Sequence, residues 1–199
     1  DDKSMISFSD GGIHLTNDNT TTPVVWERLN NGYFTTQLYT INMDHHSTSN
    51  IKIAGFQDNA NFFVNSTDTA APWKMTLNGD GSYSYIASDH IYYQSIQSGK
   101  TFKMQISDTG KVEGSKRIDP IGATGQLFIH PFTVDVNDEN IMYYPAGNVL
   151  WRNNALNNLP LDNHWDSIST GWEKLYEDAH TSMVYTCVAV SQAPAHRLY

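Results

Sequence analysis

One pattern occurs four times along the chain: an extended apolar run, a short polar corner, and a second extended run. The copies begin at Met5, Ile51, Ile91 and Ile141, and a fifth begins at Leu198, so the steps are 46, 40, 50 and 57 residues. Their sequences are "MISFSDGGIHLTND", "IKIAGFQDNANFFVNST", "IYYQSIQSGKTFKMQIS" and "IMYYPAGNVLWRNN". The first two copies contain Asp-Gly and Asp-Asn corners, which tolerate the positive φ of tight hairpin turns and so favour β-hairpins. Because the other two copies repeat the same pattern, we interpret all four as hairpins.

Each hairpin is flanked by two more predicted strands. The preceding runs are "LYTINMD", "YSYIASD", "FTVDVND" and "VYTCVAVS", and the following runs begin near a Trp, as "VVWERL", "PWKMTL" and "NHWDSIS" (163–169). The best helical candidate, Trp172–Ala179, is short and uncapped. A period of about 40–50 residues with four strands per unit is typical of a propeller blade. The sequence therefore predicts an all-β protein of four-stranded antiparallel blades.

The repeat also predicts where the blades begin and end. The predicted blade parts are 5–32, 33–78, 79–125, 126–175 and 176–199, and we interpret Asp1–Ser4 as the remnant of an acidic tag. These bounds describe a segment of about four blades from a larger propeller, since the first recognisable strand is the second of its blade. Such a segment should leave apolar blade faces uncovered, and we expect another chain or the rest of the polypeptide to supply the missing blades.

Composition excludes several classes of partner. The 199 residues carry a net charge of −9, whereas nucleic-acid binding needs a basic surface. No run approaches the roughly 18 apolar residues of a membrane helix, so no membrane insertion is expected. Abundant Asn, Thr, Ser and Gly beside only 12 Lys and Arg are typical of extracellular or cell-surface β proteins, with bacterial-type secretion. The single cysteine, Cys187, excludes an intrachain disulfide, and its apolar neighbours predict a buried strand thiol.

Several of these phrases resemble the Asp-box propellers, which include the bacterial sialidase-like (BNR) repeat proteins, the sortilin-type receptors and the xyloglucanases. The matching phrases are "SDGGIHLTND", "GFQDNANFF" and "LNGDGSYSY". The Asp box itself is degenerate: "TNDNTTTPVVW" (16–26) and "NSTDTAAPW" (65–73) keep the Ser/Thr-x-Asp and the Trp but lose the Gly. The resemblance implies a propeller that either binds a partner or cleaves a glycan.

Three aspartates, Asp10, Asp58 and Asp80, are predicted to lie on one face, which we call the hairpin face because it carries the hairpins between second and third strands. Paired carboxylates perform glycoside hydrolysis, so two of the three are candidate catalytic residues. Their Gly and Asn neighbours instead favour turn residues that accept backbone N–H bonds. The xyloglucanase resemblance would carry its D-x-G-G aspartate onto Asp10, but this chain has "SDGG". We expect Asp58 to be structural and to accept hydrogen bonds from its own hairpin or from Gly79–Gly81.

Two further groups of residues are candidates for ligand binding. The first group is predicted either to line a sugar-binding groove by aromatic stacking or to form cross-strand pairs, and it consists of Tyr92, Tyr93, Gln94 and Gln97. The second group belongs to the long irregular segment Asn153–Trp172, in which we expect a surface for partner recognition, and it consists of His164, Trp165 and Trp172.

The sequence predicts no metal and no cofactor. His45 and His46 follow Asp44 and could meet His90, but adjacent residues in an extended segment point to opposite sides, so no metal site is expected. No nucleophile elbow or phosphate loop occurs.

The first predicted function is a secreted or cell-surface propeller that binds a protein or glycan partner. The alternative is a glycoside hydrolase of the xyloglucanase type that acts on neutral polysaccharide. A sialidase would need clustered arginines to hold the carboxylate of its substrate. The arginines are instead scattered over Arg28, Arg117, Arg152 and Arg197.

Overall fold

The computed structural model describes residues 3–9, 11–30, 36–44 and 49–199. These described residues form fifteen β-strands and no α-helix, with only two three-residue 3-10 turns, at Gln97–Gly99 and Leu156–Asn158. The strands pair antiparallel with their chain neighbours in four successive sheets. The predicted all-β, antiparallel character is therefore confirmed.

The sheets follow one another along the chain, and each is ordered as in the sequence. Sheet 1 comprises β1 (Met5–Ser9), β2 (Gly12–Thr16) and β3 (Glu27–Arg28). Sheet 2 comprises β4 (Leu38–Met43), β5 (Ile51–Phe56), β6 (Asn61–Asn65) and β7 (Lys74–Leu77). Sheet 3 comprises β8 (Gly81–Ile86), β9 (Ile91–Ile96), β10 (Lys100–Ile106) and β11 (Val112–Arg117). Sheet 4 comprises β12 (Thr133–Asp135), β13 (Asp138–Ala146), β14 (Val149–Asn153) and β15 (Trp172–Glu177).

The predicted hairpins coincide with the central strand pairs of these sheets. β1, β5 and β9 begin at Met5, Ile51 and Ile91, the residues that define the repeat, and β13 begins three residues before Ile141. In each sheet the strand that contains the repeat residue pairs with the next strand in the chain. Sheet 1 has only three strands in the described residues, and β1 corresponds in position to the second strand of the other sheets.

Three predictions in the last third of the chain are wrong. The run 163–169 is not a strand, and the fourth strand of sheet 4 is β15, which occupies most of the helical candidate Trp172–Ala179. The run 184–191 forms no strand and contributes only an isolated bridge between Val190 and Leu198. Cys187 in this run is exposed, because no sheet face packs over it. The alternating apolar residues of 184–191 predicted a strand. Among the described residues this run pairs with no neighbouring strand, so several of these side chains stay exposed.

Sheet 3 is buried on both faces. Successive side chains of a strand point to opposite faces, so Tyr92 and Tyr93 of β9 enter different cores. The Tyr92 side contacts sheet 2 and the Tyr93 side contacts sheet 4. The core between sheets 2 and 3 contains Ile53, Phe63, Leu77, Ile86, Tyr92, Ile96, Phe102, Met104 and Ile106. The core between sheets 3 and 4 contains Tyr85, Tyr93, Ile118, Phe132, Val134, Met142, Tyr144, Ala146, Leu156, Leu159 and Ile168.

Sheets 2 and 3 approach most closely at two glycines. A β-carbon on Gly55 would lie 2.4 Å from the carbonyl carbon of Gly81, and one on Gly81 would lie 2.2 Å from the carbonyl oxygen of Ala60. Only glycine fits at such a backbone crossing. Beside it, the edge strands of the two sheets are joined by side chains: Thr40 Oγ1 donates to the Ser82 carbonyl at 2.6 Å, and Asn42 Nδ2 donates to the Ser84 carbonyl at 2.9 Å.

Sheets 1 and 2 are less well covered than sheet 3. The faces of these two sheets carry exposed large apolar side chains, namely Ile6, Phe8, Ile41, Met43 and Met75. Phe8 is 72% exposed. Apolar surface left in water loses the stabilisation that burial gives, so sheets 2, 3 and 4 hold most of the apolar packing in the described residues.

We predict that one buried histidine makes stability depend on pH. His130 is 1% exposed, Nδ1 of its ring accepts the Leu127 amide at 3.1 Å, and the ring lies 4.5 Å from the ring of Tyr144. Burial lowers the pKa of His130 to about 4, although an interaction with the Pro145 carbonyl raises it. In the unfolded chain His130 takes up a proton near pH 6.5. The free energy of unfolding should therefore fall as the pH drops from about 6.5 to 4, by up to about 3 kcal/mol.

Urea unfolding at pH 7.0, 5.5 and 4.5 measures this loss. The His130→Gln variant should lose less stability over the same interval than the unsubstituted chain. The His164→Gln variant is the matched control, because it removes an exposed histidine. Equal pH dependence in all three proteins would contradict the assignment.

Candidate functional site

The corner at Gln57–Ala60 joins sheet 2 to the beginning of sheet 3. The backbone N–H of Asp58 donates to Asp80 Oδ1 at 2.9 Å, and the N–H of Ala60 donates to the Gly79 carbonyl at 2.8 Å. The N–H of Asp80 in turn donates to Gln97 Oε1 at 2.9 Å. The two hairpin corners and the segment between them are thus linked by hydrogen bonds on the hairpin face.

The predicted bond between Asp58 and 79–81 exists, but with the roles reversed. The accepting carboxylate belongs to Asp80, and Asp58 contributes its main-chain amide at φ 53°. Asp58 is exposed, Asp80 is half-buried, and Asp10 lies outside the described residues. Burial and the nearby charges of Asp80 and Asp58 raise the pKa of Tyr39, so this phenol is close to both aspartates. The structure therefore brings together two of the three candidate catalytic residues.

Three residues of the first binding group are buried in the cores. Tyr92 and Tyr93 are 1% exposed and Gln94 is 0% exposed, so these side chains offer no face for the stacking of a sugar ring at the surface. The alternative prediction for this group, cross-strand pairing, agrees with the structure. Tyr93 pairs with Tyr85 and Lys103, and Gln94 pairs with Phe102. The predicted surface groove is therefore wrong for these three, while half-buried Gln97 accepts the Asp80 amide on the hairpin face.

The long segment Asn153–Trp172 covers the outer edge of sheet 3. The Asn163 amide donates to the Ser115 carbonyl at 2.7 Å, and the Arg117 amide donates to the His164 carbonyl at 2.8 Å. Unpaired strand edges invite association with other strands, so this segment closes the β11 edge.

Within this segment the three predicted binding side chains differ in their exposure. His164 is exposed. Trp165 is 60% exposed, and its ring is 5.0 Å from the buried ring of Phe102. Trp172 is half-buried and donates from Nε1 to the Ile118 carbonyl at 2.6 Å. His164 and Trp165 therefore remain available at the surface, whereas Trp172 joins sheets 3 and 4.

An aromatic pocket of about 200 Å³ lies between sheets 1 and 2, at the end of β5 that carries the Gln57–Ala60 corner. Phe56 packs edge-on against Phe62 and Trp73, with ring centroids 5.8 and 6.5 Å apart. The polar part of the lining comes from Arg28, Thr36 and Asn59, and Asn59 Nδ2 donates to Thr36 Oγ1 at 2.6 Å. The residues that line the aromatic pocket are Arg28, Thr36, Phe56, Asn59, Phe62 and Trp73.

Most residues of the aromatic pocket were missed in the sequence. Trp73 was identified only as the Trp of a degenerate Asp box, and Phe56 and Phe62 only as flanks of a corner. The available signal was their spacing: Phe56 ends β5, Phe62 lies near the start of β6, and both point to the face that the core residues Ile53 and Phe63 do not use. Arg28 carried no signal, since it comes from another sheet.

The opposite ends of the sheets carry the turns between first and second and between third and fourth strands; we call this the turn face. At two of these turns a hydroxyl accepts the amide of the aspartate two residues on: Thr16 Oγ1 with the Asp18 amide (3.3 Å), and Ser66 Oγ with the Asp68 amide (3.0 Å). Each aspartate then accepts the amide two residues further on, at 2.9 Å. The two Ser/Thr-x-Asp turns therefore share the same local hydrogen bonds.

The predicted metal candidates do not form a site in the part of the chain that the structure describes. His45 and His46 lie outside it, and His90 Nδ1 is 3.7 Å from Asp108 Oδ1. The described residues contain no group of three or more His, Cys, Asp or Glu side chains arranged to hold a metal ion. Among the same residues, no helix has the length and apolar character required to cross a membrane.

Comparison of the chain with models of protein families and with curated proteins gave no match in either case.

We predict that the Asp80 carboxylate stabilises the fold. The Asp80→Ala substitution removes the acceptor of the Asp58 amide and should lower the free energy of unfolding by about 1 kcal/mol. Asp80→Asn keeps an acceptor oxygen and should recover part of this loss. Asp58→Asn is the control, because it retains the main-chain amide and a residue type that tolerates positive φ. Urea unfolding measures all three, and a loss in Asp58→Asn as large as that in Asp80→Ala would contradict the assignment.

Proposed function

We propose that this chain is a segment of an Asp-box-type β-propeller that acts as an extracellular or cell-surface binding module, and that its aromatic pocket holds one ring of a neutral glycan. The propeller arrangement is supported by four successive antiparallel sheets, three of them four-stranded, that follow the 40–57-residue repeat. It is also supported by the packing of sheet 3 between its chain neighbours. The hydrogen bonds from β4 to β8 join the first strands of adjacent sheets, as neighbouring blades would.

The Asp-box resemblance is supported by the two matching turns. Ser66 and Asp68 lie in the connection between the third and fourth strands of sheet 2. Thr16 and Asp18 lie in the connection between β2 and β3, which is the equivalent connection of sheet 1. Each turn precedes a Trp that lines a surface pocket, Trp26 or Trp73. The proposed extracellular location is supported by the polar, Lys- and Arg-poor composition.

The aromatic pocket is the observation that carries the binding role. Sugar rings present apolar C–H faces and polar hydroxyl edges, and aromatic side chains offer large apolar surfaces of matching size. Its volume of about 200 Å³ is below the range of about 300–1,000 Å³ for drug-sized ligands and suits a single ring. Arg28 and Asn59 supply N–H donors, and the net charge of −9 disfavours acidic sugars.

Removal of the Trp73 indole tests this role. Trp73→Ala should weaken binding of neutral oligosaccharides about threefold to tenfold, because aromatic contacts contribute roughly 0.5–1.5 kcal/mol beyond burial. Tyr176→Ala is the matched control, since Tyr176 is an exposed aromatic side chain on β15 of sheet 4 and does not line the pocket. A glycan array identifies the ligand, and calorimetry with the best oligosaccharide measures the affinities. Equal affinity in the two variants, or no glycan bound while a protein partner binds, would contradict the glycan assignment.

A glycoside hydrolase of the xyloglucanase type is the second candidate, because Asp58 and Asp80 meet on the hairpin face beside Tyr39. Against it, the Asp80 carboxylate accepts a main-chain amide, which favours a structural role in the turn. The same oligosaccharides report on this candidate by the appearance of new reducing ends. Hydrolysis that is lost in Asp80→Asn would favour the hydrolase over the binding module.

The proposed propeller requires further blades next to sheet 1, supplied by another chain or by the rest of the polypeptide. The exposed apolar side chains of sheets 1 and 2, including Ile6, Phe8 and Met43, support this requirement. Light scattering of the isolated chain should therefore give a mass above 22.4 kDa, or an apolar dye should bind to it. A monodisperse monomer of that mass that binds no dye would contradict the partial propeller.

A further inference from the structure

A second cavity, of about 260 Å³, opens on the turn face between sheets 2 and 3. It lies at the Ile51 end of β5, whereas the aromatic pocket lies at the Phe56 end. Its walls are mainly polar turn residues above the edge of the core. The lining residues are Asp44, Ile51, Ile86, Ala87, Ser88, Asp89, His90 and Tyr92. We call it the acidic cavity.

Negative charge dominates the acidic cavity. Asp44 and Asp89 line it, and Asp108 approaches from the turn between β10 and β11, 3.7 Å from Nδ1 of His90. Among the described lining residues, His90 is the sole side chain able to carry positive charge. The nearby Lys52 ammonium is held instead by the carbonyls of Asn50 and Ser66, at 3.1 and 3.0 Å.

A buried tyrosine, Tyr92, is a second feature of the acidic cavity, and it does not depend on the cavity's negative charge. Its side chain belongs to the core between sheets 2 and 3 and is 1% exposed, yet it also lines the cavity. The Tyr92 hydroxyl forms no hydrogen bond with any residue that the structure describes. Burial first, and then the charges of Asp108 and Asp44, raise the pKa of Tyr92 to about 12, so the group remains a neutral phenol. A neutral phenol oxygen can accept a hydrogen bond from a cationic donor.

We propose that the acidic cavity binds an alkylammonium or guanidinium group, with Asp89 and Asp108 supplying the opposite charge and the Tyr92 hydroxyl accepting one N–H bond. An organic cation fits better than a bare metal ion, because the described residues hold no three-ligand metal group. The volume accommodates the end of a lysine or arginine side chain, and the net charge of −9 attracts such a partner. The source is either a basic side chain of a partner polypeptide or a free polyamine.

This site is separate from the proposed glycan pocket in position and in chemistry. The two lie at opposite ends of β5, and one is aromatic where the other is acidic. Failure of glycan binding would therefore leave the cation site untouched, and the reverse also holds.

The test is calorimetric titration of the full chain with acetyl-Gly-Lys-Gly-amide, with its norleucine analogue, with cadaverine and with calcium chloride. The lysine peptide or cadaverine should bind saturably, more weakly as sodium chloride rises, and the uncharged norleucine peptide should not bind. Tyr92→Phe removes only the unbonded hydroxyl and should weaken binding about tenfold with unchanged thermal stability. Asp89→Asn should weaken it comparably, and asparagine also tolerates the φ of 57° at this position.

Glu113→Gln is the matched control, because it removes one exposed carboxylate on β11 that does not line the cavity, and its affinity should stay within twofold. Tighter binding of the peptide than of cadaverine would support a partner side chain, and the reverse order a free polyamine. Wild-type affinity in both Tyr92→Phe and Asp89→Asn would overturn the proposal. Saturable calcium binding that is lost in Asp89→Asn, without binding of either amine, would overturn it in favour of a metal site.

Discussion

The backbone crossing of Gly55 and Gly81 is the contact on which the order of sheets 2 and 3 depends. No β-carbon fits at either position, so the two strands approach closer than side-chain packing allows. This crossing brings the corner at Gln57–Ala60 against 79–81, where main-chain amides and the Asp80 carboxylate complete their hydrogen bonds. The main role of the corner is therefore to join sheets 2 and 3. A ligand at this corner can use only those polar groups that do not take part in these hydrogen bonds.

Sheet 3 occupies the centre of the described fold because both of its faces are apolar. Even a lysine of this sheet is buried. Lys103 lies on the face toward sheet 4, and its ammonium donates to the carbonyls of Leu156 and Leu159 at 2.8 and 3.0 Å. Burial lowers the pKa of Lys103, and the two carbonyls compensate part of the cost of its charge. The lysine thereby fastens the segment that closes the edge of sheet 3.

The two ends of β5 differ in chemistry for a simple geometric reason. At the hairpin face the strands continue directly into tight corners, so aromatic side chains such as Phe56 and Phe62 remain close to the sheet and form pocket walls. At the turn face, aspartates that cap turns by binding nearby amides are abundant, as at Asp18 and Asp68. The capped turn at Asp68 therefore adds a carboxylate at the end of sheet 2 opposite the aromatic pocket.

The sequence by itself determined the four central hairpins, because a hairpin depends on local patterns. Extended apolar runs on both sides of polar corners located the first residues of β1, β5 and β9, and the Ser/Thr-x-Asp phrases located the capped turns. Only the tertiary structure decided what each side chain faces. It buried Tyr92 and Tyr93, exposed Cys187 and reversed the roles of Asp58 and Asp80. It also assembled the aromatic pocket from Arg28 and Trp73, since packing between sheets joins residues that no local pattern relates.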